Sequence, residues 1–129
     1  NLYFDENFFL YLENDDLCLR KKKENSNIYI LKKAKINHLG GKSPSIIYEK
    51  EIEYSRNWHW MWSKFYFNKK HYGYFKAFKA TFPTMITSII KSFYYFATFN
   101  KFKRQVYLMR FLGLLNSMMG KNSWHRPRV

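Results

Sequence analysis

The chain is poor in the residues that staple or punctuate a small fold. It holds one cysteine, Cys18, so neither an intramolecular disulfide framework nor a multi-cysteine zinc site can form. The mild implication is a reducing, cytoplasmic setting. Glycine and proline are scarce, at five and three residues, and no low-complexity tract or internal repeat is found. No apolar run is long enough to span a bilayer. The longest candidate, residues 84–99, has Lys91 inside it and falls short of the roughly 20 residues a spanning helix needs. Gly41-Lys42-Ser43 is not a phosphate-binding loop, because it lacks the glycine five positions upstream that such a loop requires.

The sharpest shortage is of acid. All nine Asp and Glu lie in residues 1–53, where nine Lys and Arg balance them; residues 54–129 hold fourteen Lys and Arg and no acid. The whole formal charge of +14 therefore sits in the second part, and the change near Lys50 to Arg56 is the best boundary in the chain.

The pattern along the chain predicts a mixed architecture. Asp15 and Asp16 suit the first turn of a helix running to about Glu24, with Lys21 to Lys23 at its C-terminal end, where the helix dipole favours cations. Asn25-Ser26-Asn27 reads as a turn. Ile28 to Ile36 reads as a strand broken at Lys32-Lys33. From Ile46 the spacing turns helical, with Trp58, Trp62, Phe65 and Lys69 at i, i+4, i+7 and i+11 and Tyr54 one turn upstream. A second segment starts near Tyr74 and is interrupted at Pro83. A third helix covers about Lys101 to Met119, with Val106, Met109, Leu112 and Leu115 on one face. Cys18 is expected to be buried and inert.

Two stretches carry chemistry: Phe4-Asp5-Glu6-Asn7-Phe8-Phe9-Leu10-Tyr11-Leu12-Glu13-Asn14-Asp15-Asp16-Leu17-Cys18-Leu19-Arg20, and then His38-Leu39-Gly40-Gly41-Lys42-Ser43. They resemble the second half of the catalytic domain of family 2 glycosyltransferases, in the rhamnosyltransferase-like and galactofuranosyltransferase-like branch. The resemblance is strong over roughly residues 1–45 and looser beyond. It implies an α/β fold: the C-terminal, acceptor-side portion of a GT-A (nucleotide-diphospho-sugar transferase) domain at 1–45, followed by a mostly α-helical extension at 46–129. The half that binds the sugar nucleotide would then lie outside this chain, which would be a C-terminal fragment, inactive alone.

Inverting sugar transfer needs a base for the acceptor hydroxyl and cationic help for the departing diphosphate. The resemblance places the family's acidic pair on Glu13 and Asn14. An amide has no useful basicity, so Glu13 becomes the candidate base, with Asp15 or Asp16 as substitutes. Asn14, Asp15 and Tyr11 are the candidate acceptor-binding residues. His38 is the candidate auxiliary ligand for a divalent metal, Mg or Mn, held mainly by the other half. By spacing alone Glu13 is a solvated loop carboxylate, Asp16 is the helix partner of Arg20 at i+4, and His38 is a structural hydrogen-bonder. His59, His71 and His125 show no ligand spacing.

Trp58, Trp60, Trp62, Tyr66 and Tyr72, interleaved with Lys64, Lys69 and Lys70, suit an anionic bilayer interface or a nucleic-acid backbone. The apolar 84–99 segment favours the membrane, with Trp58 and Trp62 at headgroup level and no nucleic acid. The expectation is a piece of an inverting, metal-dependent glycosyltransferase. It would move a sugar from a nucleotide-sugar donor to a polysaccharide or lipid-linked glycan, peripherally on the cytoplasmic face of the bacterial inner membrane. The rival is a small basic membrane- or nucleic-acid-binding protein without enzymatic function.

Overall fold

The computed structural model describes residues 3–37 and 48–127. They form four helices: α1 (Glu13–Lys23), α2 (Glu49–Tyr72), α3 (Tyr74–Ala97) and α4 (Lys101–Met118). No strand occurs among the described residues, which overturns the expected α/β, GT-A-type architecture. Residues 28–36, expected as a strand, have no regular structure beyond a turn at Lys32-Lys33, and Ile28, Tyr29, Ile30 and Leu31 are 53–91% exposed. The physical reason is pairing. Alternating Ile and Tyr give a segment β-propensity, but a strand exists only when a neighbouring strand takes its N–H and C=O groups.

The helices α2, α3 and α4 pack on one another around Met61, Phe65, Ala77 and Leu114, with Phe78, Met85 and Met118 at the margin. Gly73 alone joins α2 to α3, at φ 87° and ψ 163°. That backbone conformation is essentially confined to glycine, which has no Cβ to clash there. The turn into α4 is closed by Asn100, whose side chain accepts from the Lys103 N–H at 3.0 Å. Pro83 does not end its helix: α3 runs through it. The missing N–H and ring bulk are tolerated because the rest of the helix is held by packing.

Where α4 crosses α2, the contact is backbone on side-chain-free backbone. A Cβ built on Gly113 would stand 2.2 Å from the Trp58 carbonyl oxygen. Gly113, Leu114, Asn116 and Ser117 are the buried positions of α4, while Leu112, expected in the stripe, is 37% exposed. Trp58, Trp62 and Phe65 are buried, at 2% exposure or less, whereas Lys69, on the same stripe by spacing, is exposed. That same burial removes Trp58 and Trp62 from any headgroup contact. Cys18 is exposed, contrary to its expected burial.

Candidate cleft and acid cluster

The segment before α1 is fastened to α2 by polar anchors. Ser63 Oγ donates to the Leu10 carbonyl at 2.7 Å, and Tyr66 Oη donates to Asp5 Oδ2 at 3.0 Å. Phe8 packs edge-on against the Tyr66 ring, with centroids 5.0 Å apart. These contacts bring the chain to Tyr11 and Leu12, two successive non-glycine residues with φ of 69° and 67°. The left-handed region costs an L-residue about 1–2 kcal/mol, and such strain persists only where neighbours hold it. Here Tyr11 stands perpendicular to the Trp60 ring at 5.3 Å, and its Oη accepts from Arg56 Nε at 3.1 Å.

The strained turn ends at Glu13, the first residue of α1. Glu13 Oε2 is shielded from solvent and has no hydrogen-bond partner among the described residues. Asn14 and Asp15 are exposed on the same first turn. Tyr11 lies two residues from Glu13, within about 7 Å along the backbone. It lines an open cleft of about 320 Å³ with Glu53, Arg56, Asn57 and Trp60. Those four come from α2 at i, i+3, i+4 and i+7, one helix face. The sequence reading did not assign Glu53, Arg56 and Asn57 to a site, although that spacing was the available signal. Asn57 Nδ2 donates to Glu53 Oε1 at 2.7 Å, fixing both planar groups along the cleft, and Trp60 is 41% exposed.

Asp16 does something different. It is fully buried and holds Arg20 Nε at 2.9 Å, Lys70 Nζ at 2.7 Å and His71 Nε2 at 2.8 Å. Burial acts to raise its pKa, but the hydrogen bonds from Lys70, Arg20 and His71 outweigh it and hold the carboxyl below its usual value. Lys70 also bridges to Asp5 at 2.7 Å. Burial is likewise overcome at Asp5, where bonds from Lys70, Asn7 and Tyr66 bring the pKa down to about 2. Both carboxylates thus tie α1 and the N-terminal segment to the end of α2, and neither is free to take a proton.

His38, the expected metal ligand, lies outside the described residues, as do Gly40 and Gly41. Among the described residues no group of three or more His, Cys, Asp or Glu could hold a metal ion. The described residues therefore do not by themselves fit a metal centre.

The histidines on the other side of α2 organise the C-terminal segment. Buried His59 donates from Nε2 to the His125 carbonyl at 2.7 Å, so its Nδ1 accepts from Ser123 Oγ at 2.8 Å. Trp62 Nε1 donates to the Lys121 carbonyl at 2.9 Å, and the Trp58 ring stacks on His125. Burial, with the nearby Arg126 and His125, pushes the His59 pKa down to about 4 against the pull of its bond to the His125 carbonyl. Its folded pKa is lower than its unfolded one. Its contribution is therefore complete above about pH 6.5 and is lost as pH falls toward 4. We expect stability to drop by the order of 3 kcal/mol across that window. Denaturant titrations at pH 7 and 4.5 would measure it, and His59→Gln should flatten the dependence while lowering stability at pH 7.

No helix among the described residues is long and apolar enough to cross a membrane. No family model, curated protein or solved structure matches the chain.

Proposed function

We propose that this chain is the acceptor-side part of an inverting glycosyltransferase, with the Tyr11–Trp60 cleft receiving the acceptor sugar and Glu13 taking the proton from its attacking hydroxyl. The observation that carries this reading is the cleft itself, whose Tyr11 precedes by two residues in the chain the acid that the sequence motif singles out. Sugars are bound through an aromatic surface under their C–H face and planar polar groups on their hydroxyls. Trp60 and Tyr11 offer the first, and Arg56, Asn57 and Glu53 the second. Glu13, two residues after Tyr11 and first in α1, would supply the carboxylate such a proton needs. Asn14 and Asp15, exposed beside it, would orient the incoming glycan. Asp16 acts by holding α1 in place.

In this reading the nucleotide-sugar donor, and any divalent metal that neutralises its departing diphosphate, sit on residues other than those described. The acceptor is a surface polysaccharide or lipid-linked glycan, and the protein works peripherally on the cytoplasmic face of the bacterial inner membrane. The test is made in the intact enzyme that contains this chain. Glu13→Gln should lower turnover about a hundredfold with donor KM little changed, because a lost general base is a transition-state defect. Trp60→Ala should raise acceptor KM about tenfold, the loss expected from one aromatic platform. Turnover near wild type in Glu13→Gln would remove the base from this residue. Unchanged acceptor KM in Trp60→Ala would empty the cleft of its role.

A further inference from the structure

The helix α3 is turned outward. Its buried positions, Ala77, Thr81 and Ser88, are small or polar and no more than 1% exposed. Its outer positions are apolar: Phe75, Phe82, Ile86, Ile90, Phe93 and Phe96 are 37–83% exposed. At about 100° per residue, Phe75, Phe82, Ile86 and Phe93 fall within about 40° of one another, with Ile90 and Phe96 about 60° to either side. The stripe runs nearly the full length of a 24-residue helix. Lys79 lies within it and Lys76 flanks it, while Lys91 is turned away from it, with its Nζ over the Tyr107 ring of α4. It continues into the α3–α4 turn, where Phe99 is 90% exposed. Beyond that turn the first turn of α4 has no acid and carries Lys101, Lys103 and Arg104. These cations stand where the helix dipole is already positive, which sharpens the positive potential of the surface.

A continuous apolar face of this kind on a basic protein needs a cover. A second copy would set the same cationic face against itself, because a two-fold dimer places like patches opposite like. With fourteen Lys and Arg and no acid after residue 53, nothing in that half of the partner would compensate. An anionic bilayer supplies both what the rings need and what the lysines need. We propose that α3 lies in the interfacial plane of an anionic phospholipid bilayer, inserting Phe75, Phe82, Ile86 and Phe93 between headgroups while Lys76, Lys79 and the α4 N-terminal cations contact lipid phosphates. No described helix is suited to crossing, so the mode is lying on the surface rather than spanning it. The inserting aromatics are on α3, in contrast to Trp58 and Trp62, which are core residues.

The experiment is co-sedimentation of the full chain with vesicles of phosphatidylcholine alone and of phosphatidylcholine mixed with phosphatidylglycerol. Binding to the mixed vesicles should be at least tenfold tighter, since each engaged lysine contributes about fivefold. It should weaken but persist in about 0.5 M salt, because ring insertion is not screened. Phe82→Gln with Ile86→Gln and Phe93→Gln should lower affinity more than tenfold, with helicity kept. Phe75→Gln and Phe93→Gln made singly, at positions 83% and 70% exposed, provide the same reading should the triple variant fold poorly. Lys76→Gln with Lys79→Gln should cut the preference for phosphatidylglycerol. Three results would overturn the proposal: equal binding by wild type and the phenylalanine variants, no preference for anionic vesicles, or a light-scattering dimer that those variants dissolve while vesicles remain unbound. Tight binding of single-stranded RNA with indifference to vesicles would assign the surface to nucleic acid. None of these measurements reads turnover, so their outcome is separate from that of the Glu13 and Trp60 variants.

Discussion

Asp16→Ala is expected to cost 3–5 kcal/mol, a large part of the total stability of a domain this size. The carboxylate is fully buried and gathers Arg20 and Lys70, with His71 as a third donor. Removing it strands these groups in a partly desolvated pocket, and the penalty of unpaired buried charge exceeds the net worth of the pairs themselves. The denaturant midpoint should fall sharply, and α1 should loosen from α2 first. Acid should act through the same residues. Asp16 and Asp5 have folded pKa values below their unfolded ones. Their contribution is present above about pH 4 and is lost as pH falls through the folded values. Asp16→Asn should reproduce the loss at neutral pH and remove that carboxylate's share of the acid dependence. A variant as stable as wild type would show that the network is incidental. Because the effect is on folding, the variant must be judged by its melt before any change in turnover is read as catalytic.

Gly113→Ala is expected to destabilise by about 3 kcal/mol, even though alanine is the better helix former by about 1 kcal/mol. The added methyl would meet the Trp58 carbonyl oxygen at 2.2 Å. That oxygen is backbone inside α2 and has no rotamer to escape through, so the two helices must separate. Separation loosens the shared core at Met61 and Leu114 and disturbs Trp58, on which His125 stacks. Thermal melting would register a drop of several degrees or more, and exchange of the buried α2 and α4 amides should quicken. A Gly113→Ala protein with an unchanged melting temperature would mean that α2 and α4 do not approach this closely.

The sequence foretold the parts of this structure that depend on local pattern. The acids and basic run around α1, the limits of α4 to within a residue, and the placing of Trp58, Trp62 and Phe65 on one helical stripe all follow from helical spacing and dipole complementarity, which act over one or two turns. The pairing of Asp16 with Arg20 was legible for the same reason, at i and i+4. What failed required a partner far along the chain. Residues 28–36 had the composition of a strand but no neighbour to pair with among the described residues, and Pro83 sat in a helix whose packing carried it through. Lys70, counted among the surface cations by composition, is held between Asp5 and Asp16, more than fifty residues away.

The sequence by itself determined the helical segments, the neutral first part and acid-free second part, and the cluster of acids around Glu13. Only the tertiary structure decided which side chains those segments hide. It put Gly113 rather than Leu112 at the α2 crossing, withdrew Trp58 and Trp62 into the interior, and left α3 with small residues at its fully buried positions and most of its phenylalanines outside. Periodicity ranks the faces of a helix by polarity, but burial is settled by which face lets two backbones come close. In this chain close approach selected glycine on α4, and the buried face of α3 went to alanine, threonine and serine, so many of its larger apolar residues were turned to the surface.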